Sequence, residues 1–425
     1  MTGTSTAQPP LPRLLRGVGP EPITSLQAHV ELHGPLPVAA RRSREQLLDE
    51  LERAGLRGHG GASFPTAKKM RAVAGRRGSK VVVVNGTEGE PASKKDRALL
   101  RQAPHLVLDG ACLAARAVGA DNVVVAFCEQ DSRSSASLSA ALAERRSSPD
   151  EPSFQLFGTP ELFLSGQETA LVNMLNGGPC QPTFGTRPYE RGVRQRPTLV
   201  QNAETLAHVA LIARHGAGWF RQLGPASDPG SALVTLSGAL EAPGVYEIEH
   251  GMPLPELLDA AVVNESLSAV LIGGYFGTWL GAGEIAQIRL SPARLRDRGA
   301  SLGAGVIIAL GVSACPVAET ARVSEWFAEQ TAGQCGPCVY GLDAIATTIS
   351  RMATGTGGRT GHHDVTRWTR ELPGRGACQH PDGAARFIAS AMKVFADELR
   401  AHAARGPCER CARRPVLPVP LAVRA

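Results

Sequence analysis

Cys335 and Cys338 are separated by two residues in the stretch EQTAGQCGPCVYG (329–341), the spacing of ligands for a soft metal. The run has the cadence C-x2-C-x2-C of an iron–sulfur ligand set, but Ala332 stands in its first position. Six of the nine cysteines lie beyond residue 310, and that clustering points to redox or metal chemistry. A long chain with no visible secretion signal uses such cysteines as thiols or metal ligands rather than as a disulfide framework. The pair in CERC, Cys408 and Cys411, shares a metal with a partner chain, forms a redox disulfide or is inert; inert thiols are the default reading. Cys112, Cys128 and Cys180 are scattered and read as small buried hydrophobes. His362 and His363 read as solvent-facing residues of a polar loop between helices.

A second chemistry is written near the N-terminal side. In GLRGHGGASFPTAKK, Gly58, Gly60, Gly61 and Ala62 let backbone N–H groups close on a phosphate without Cβ obstruction. The chain favours arginine and has only six lysines, of which Lys68, Lys69, Lys80, Lys94 and Lys95 fall in one 28-residue window. Either these bind phosphate or they are solvated surface. NGTEGEP puts Asn85, Glu88 and Glu90 on the turn after a buried strand, where α/β proteins bind ligands.

The elements that must position these residues fall into three textures. SREQLLDELERAG opens with a Ser43-x-x-Gln46 capping box and closes at Gly55. After it, KVVVV, DNVVVAF and SFQLFG read as strands, alternating with helices in DRALLRQAPHLVLDGACLAARAVG, SRSSASLSAALAERR and PELFLSGQETALVNMLNGG. That alternation predicts a parallel sheet flanked by helices. Beyond Asp228-Pro229-Gly230 come two strands around a Pro-Gly turn and a short helix, an α+β insert. From Pro316 the pattern is helical at about 317–330, 339–354, 363–372 and 384–405, an up-down bundle of four helices. The boundaries are 1–42 extension, 43–229 α/β domain, 230–312 insert, 313–405 bundle and 406–425 Pro-rich tail.

At GLRGHGGASFPTAKK, NGTEGEPASKKDR, GQETALVNML, QNAETL and GQCGPC the chain resembles the flavin-bearing, NADH-oxidising subunit of respiratory complex I, also used in NAD-linked hydrogenases and formate dehydrogenases. The resemblance runs over roughly 45–400. It implies an α/β FMN-binding domain, a ubiquitin-like β-grasp (SLBB-like) insert and a four-helix bundle carrying a 4Fe–4S cluster. It assigns flavin contacts to Gly58, Gly60, Gly61, Ala62, Lys69, Asn85, Glu88, Gly166, Asn202 and Thr205. Phe64, Glu90 and Glu168 fall to NADH, with Glu90 at the nicotinamide end. Departures stand at Thr87 for Asp, Gln167 for Glu and Gln201 for Asn, and at Ala72 and Arg187 for stacking phenylalanines. Cys335, Cys338 and Cys378 match three of the four cluster ligands. In an up-down bundle their two loops share one end, so a single site is reachable. His380 or solvent is the fourth ligand, the cluster being 4Fe–4S or 3Fe–4S; a Cys3His zinc site is the next alternative and a vacant, relic site the third. Cys315 is expected ~25 Å from Ala332, and Cys408 and Cys411 ~30 Å off at the opposite end.

Composition bounds the rest. Over 425 residues, 43% apolar and 20% charged is ordinary for a soluble protein, and 4% aromatic leaves the core to Ala, Val and Leu. The net charge of +6 is spread rather than blocked, which argues against nucleic acid. No apolar run spans a bilayer, so the expected location is cytoplasmic, at most peripheral to a membrane complex through partners. The reading is an FMN oxidoreductase passing electrons from NAD(P)H through the cluster to a ferredoxin-like protein in a multi-subunit complex. No general base is required for hydride transfer. The other readings are a docking or assembly subunit and a flavoprotein with a different donor.

Overall fold

The computed structural model describes residues 11–19, 22–36, 43–145, 151–185, 187–356 and 360–420. Parts of the expected N-terminal extension and the last five residues of the tail lie outside these. Two sheets and a helical region follow one another along the chain.

The first sheet is four parallel strands, β1 (Lys80–Gly86), β2 (Ala120–Cys128), β3 (Ser153–Thr159) and β4 (Thr198–Asn202), in the order β3-β2-β1-β4. Val81 to Val84 are buried on both faces, as a central parallel strand requires. Helix Arg44–Ala54 carries the expected capping box, with Gly55 left-handed at φ 74°. The helix expected from Pro160 onward is shorter: Phe163–Gly166 is a 3-10 turn, and the α-helix is Glu168–Leu175, capped by Gln167 accepting from the Ala170 amide. The reason is a close approach, since a Cβ on Gly166 would stand 2.8 Å from Thr87 Oγ1.

The second sheet has five strands, β5 (Ser231–Gly238), β6 (Gly244–Glu249), β7 (Leu267–Ile272), β8 (Thr278–Gly281) and β9 (Val306–Gly311), in the order β6-β5-β9-β7-β8. Only the β5–β9 pairing is parallel. Helix Leu254–Ala260 packs its Leu254, Leu257 and Leu258 on this sheet's core.

The C-terminal region holds five α-helices where four were expected: Pro316–Glu329, Asp343–Ala353, Gly361–Glu371, His380–Val394 and Ala396–Arg405. The long last helix breaks at Phe395. A π-helical turn, Pro337–Leu342, leads into the second helix. His362 and His363 lie in the third helix rather than in a loop; His363 is exposed and His362 half-buried.

Helix Pro104–Val118 is buried along almost its whole length and crosses helix Ala203–His215 at backbone distance. A Cβ on Gly110 would lie 1.8 Å from the Leu206 carbonyl oxygen, so no side chain fits there. Beside it, buried Asp109 accepts from Arg145 at 2.6 Å and from His29 at 2.8 Å, and pairs with Arg214. Gly110→Ala is expected to cost at least ~1–3 kcal/mol, the range for overpacked cores, and to lower Tm by several degrees. Gly283→Ala, whose Cβ would meet nothing within 4 Å, is the neutral control. Thermal unfolding of the two variants checks the difference.

Candidate functional site

β1 and β4 pair so that Asn85 lies opposite Asn202, both at the carboxyl ends of their strands. Asn85 Nδ2 donates to the Gly166 carbonyl at 2.8 Å, and its Oδ1 accepts from Thr87 Oγ1 at 2.8 Å. The glycine-rich loop closes through Gly58 N–H to the Phe64 carbonyl, 2.9 Å, and His59 N–H to Thr205 Oγ1, 2.9 Å. Gly60 packs against Asn202, whose Cβ is 3.3 Å from where a Gly60 Cβ would be. Gly61 stands at φ +102° with open space around its Cβ position. Lys69 Nζ and Glu168 Oε1 form an ion pair of 3.2 Å across the same crevice. Gly60, Gly61, Lys69, Asn85, Gly166, Glu168 and Asn202 therefore border one place.

Several residues expected to touch a ligand also hold the frame. Glu88, at φ 48°, turns its carboxylate inward. One oxygen accepts from Ser93 Oγ at 2.6 Å and the Asp96 amide at 2.9 Å, the other from the Arg97 amide at 3.0 Å. Glu88 thus caps helix Lys95–Gln102, and burial, with Asp96 beside it, raises its pKa. Asn202 caps helix Ala203–His215 and donates through Nδ2 to Asp96 Oδ2 at 2.7 Å. Thr205 holds the glycine loop.

The lysine window is not one phosphate surface. Lys95 is buried, 2.9 Å from both Asp96 Oδ1 and Glu204 Oε2, and Lys80 is buried in β1. Glu204 also meets His59 Nδ1 at 3.0 Å and accepts from the Leu233 amide of β5 at 2.8 Å. Burial alone would raise the Glu204 pKa; the His59 and Lys95 charges overcome it and hold the group well below the usual carboxylate range. A cavity of about 400 Å³ opens at the glycine loop, between Gly58, His59, Gly61 and Ala62 and the turn that leads into β9 at Gly303 and Gly305. It does not reach Lys69, Asn85 or Gly166.

Phe64 is half exposed, with Lys68 Nζ 5.9 Å from its ring centre. A second exposed aromatic, Phe184, escaped the sequence reading, which aligned Arg187 instead. It follows Thr183, whose amide donates to Thr169 Oγ1 at 3.1 Å, next to Glu168. Glu90 is buried; Oε2 accepts from the Tyr275 amide at 2.9 Å, and Oε1 has no partner.

Cys335, Cys338 and Cys378 lie close enough to act on one another electrostatically, and the Cys338 amide donates to the Cys335 carbonyl at 3.2 Å. Burial, then the neighbouring Cys335, push Cys338 up to about 12. Cys338 is therefore protonated unless a cation ionises it. His380 is buried against Phe163, Phe276 and Phe327. Its Nε2 donates to the Phe327 carbonyl at 2.9 Å, which leaves Nδ1 as an unpartnered lone pair. The cysteine loop is tied to the first domain by its own backbone and side chains. Gln330 Oε1 accepts from the Phe163 amide at 3.0 Å, the Ala332 carbonyl from Gln181 Nε2 at 3.0 Å, and the Pro182 carbonyl from Gln334 Nε2 at 3.1 Å.

The tail thiols Cys408 and Cys411 are not isolated. They meet Cys315 and His402, all four ligand atoms lying within 4.8 Å of one another. The sequence had placed Cys315 and the tail pair far from the cluster loop, but His402 went unnoticed among helical residues.

Burial raises Glu90 to about 7 from 4.5. The folded chain then keeps a proton that the unfolded chain loses across that window, so stability falls as pH rises from 4.5 to 7 and levels off above. Glu90→Gln removes the effect. Its Tm should match the wild type near pH 5 and exceed it at pH 8, by a stability difference on the order of 3 kcal/mol at most. Thermal melts at the two pH values read this directly.

Comparison with known proteins gives the arrangement relatives. Residues 51–211 match the Nuo51 FMN-binding domain, and residues 318–402 match the NADH-ubiquinone oxidoreductase-F iron–sulfur binding region. The second F-type chain of the NADH-quinone oxidoreductase of Rhizobium meliloti (strain 1021) is 29% identical over 380 residues, covering 86% of this chain and 90% of that protein. The F-type chain of the Rickettsia typhi NADH-quinone oxidoreductase is 29% identical over 376 residues, 84% and 89% of the two chains. A chain of the NAD+-reducing NiFe-hydrogenase crystal structure in the H2-reduced state superposes with TM-score 0.82 at 29% identity, over 92% of this chain and 67% of that one. The air-oxidised form gives 0.83 over 97% and 72%. Among the described residues no helix is long and apolar enough to cross a membrane. Over most of its length the chain is thus similar to F-type chains of NADH-quinone oxidoreductases, with a match to the Nuo51 FMN-binding domain followed by a match to the F-type iron–sulfur binding region.

Proposed function

We propose that this protein is an FMN-dependent oxidoreductase that takes electrons from NAD(P)H and delivers them, through a cluster at Cys335, Cys338 and Cys378, to a ferredoxin-like or other protein acceptor in a multi-subunit assembly. One observation carries it. The Phe163–Gly166 turn touches the crevice through Gly166, bonded to Asn85, and the cysteine loop through Phe163, bonded to Gln330. Four consecutive residues thus link both candidate redox sites. The residues suit the group: Gly61 offers an unobstructed backbone, Lys69 a cation, and Glu90 Oε1 a buried acceptor in need of a partner. Bound FMN supplies a two-electron acceptor that releases electrons singly. Around it, the glycine loop and Lys69 bind and orient, while Glu88, Asn202 and Thr205 hold the loop and helix ends from behind. Phe64 and Phe184 offer stacking faces for an adenine.

We read the five-stranded sheet with helix Leu254–Ala260 as the β-grasp insert, and the helices beyond it as the cluster-bearing bundle. The boundaries near 229, 312 and 405 remain our division. The three thiols take the cluster, with His380 Nδ1 as the fourth donor. Val339 and Tyr340, the latter 76% exposed, flank Cys338 and give an acceptor protein an apolar contact. A second reading, a docking role without catalysis, is favoured by Glu88, both of whose oxygens are already used.

The deciding experiment is an anaerobic visible spectrum of the FMN-reconstituted protein before and after one equivalent of NADH. Bleaching of the flavin bands supports the enzyme. Bands that resist NADH and NADPH but yield to dithionite sink it in favour of the docking or altered-donor reading. Phe64→Ala and Phe184→Ala should each raise KM for NADH about tenfold with kcat little changed, the loss of ~1.4 kcal/mol of stacking. Iron and acid-labile sulfide should accompany the purified protein and fall in Cys378→Ser; absence of both ends the cluster assignment.

A further inference from the structure

Cys315, His402, Cys408 and Cys411 come from three separate places. Cys315 caps helix Pro316–Glu329, just after β9. His402 sits in the last turns of helix Ala396–Arg405. Cys408 and Cys411 bracket the 3-10 turn Glu409–Ala412. Cys315, Cys408 and Cys411 lie outside the matched iron–sulfur region, and His402 is its final residue.

We propose that these four side chains form a second metal centre, a closed Cys3His site for one Zn2+, distinct from the site at Cys335, Cys338 and Cys378. The distances are those of a single-ion tetrahedron. Cys411 Sγ to Cys315 Sγ is 3.4 Å, Cys408 Sγ to Cys411 Sγ 3.8 Å, and Cys315 Sγ to His402 Nε2 3.5 Å. Zn–S near 2.3 Å and Zn–N near 2.0–2.1 Å in a regular tetrahedron give S···S edges of ~3.75 Å and S···N edges of ~3.6 Å. A cubane cluster needs each ligand sulfur on a different iron and hence farther apart.

The surroundings are those of a metal ligand set. His402 Nδ1 meets the Ala353 carbonyl at 3.1 Å, which places the proton on Nδ1 and turns the bare Nε2 toward the thiols. Three thiolates and one Zn2+ carry a net charge of −1, and binding releases three thiol protons. Arg410, between the two tail cysteines, acts electrostatically on Cys408 and balances that charge. Its guanidinium also donates to the Val312 and Ala314 carbonyls and to Glu398, so the cation is fixed in place. With four protein ligands there is no open position, so the role is structural. The ion would staple the tail to the first and last helices. Downstream, the Val416 and Leu417 amides donate to Glu319 at 2.8 and 3.1 Å, and Tyr275 Oη donates to the Pro418 carbonyl at 2.7 Å. The other gathered group, His59, Glu204 and His208, already has Lys95 on its carboxylate.

The test is metal analysis of the full chain purified anaerobically without chelator, with zinc-edge X-ray absorption on the wild type. One zinc per chain in a shell of three sulfurs and one nitrogen is expected. Zinc should persist in Cys335→Ser/Cys338→Ser and fall at least tenfold in Cys411→Ser. Co2+ in place of zinc should give the intense visible bands of a tetrahedral thiolate site in the wild type, which keeps the test decisive if Cys411→Ser folds poorly. Protein that holds no zinc, with Cys315, Cys408 and Cys411 titrating as free thiols or as a disulfide, overturns the proposal. So does zinc that follows Cys335 and Cys338 instead.

Discussion

A single buried carboxylate joins the parts that have to stay in register. Glu204 reaches Lys95 at the start of one helix, His59 in the glycine loop, and the Leu233 amide in the second sheet. Any of these contacts at the surface would matter little, but Glu204 and Lys95 are buried, where an unpaired partner is expensive. Lys95 also pairs with Asp96, which Asn202 holds, and the Asp96 amide donates to Glu88. The loop, both strand ends and the next domain are therefore fixed by one charge network beneath the crevice rather than by the ligand above it.

That arrangement divides labour among the acids and amides. Those facing inward build the frame, while those facing outward, Lys69 with Glu168 and Asn85 with Gly166, are left for recognition. The helical region would follow the same economy under the two assignments we propose, with Cys335, Cys338 and Cys378 for electron transfer and Cys315, Cys408 and Cys411 for cohesion. A chain so poor in aromatics concentrates them between the two: Phe163, Phe276, Phe327, Trp326 and Tyr275 pack as one cluster behind the cysteine loop.

Much of this was legible in the sequence. Ser43 and Gln46 announced a capped helix because capping chemistry is local, and the valine run announced β1 because burial on both faces demands it. Bundle topology and the family resemblance together led to the expectation that Cys335, Cys338 and Cys378 share one end. What failed was long-range. PELFLSG looked helical, yet Gly166 must let a neighbouring turn approach, which no local pattern reveals. Lys80 and Lys95 looked like surface cations because the acids that bury Lys95 are Asp96, its neighbour, and Glu204, over a hundred residues away. His402 carried no signal at all, since its partners arrive from both ends of the helical region.

The cysteine loop is held at Gln330, Ala332 and Gln334 by hydrogen bonds to the first domain. Its shape is therefore supported by contacts with another part of the same chain. Such a loop separates two properties that metal sites usually bind together, the form of the backbone and the identity of the donor. At position 332 the anchoring contact is the carbonyl, which every amino acid supplies, while the side chain is free to vary. A substitution at position 332 therefore keeps this backbone anchor, so the donor offered there can change while the loop stays where it is.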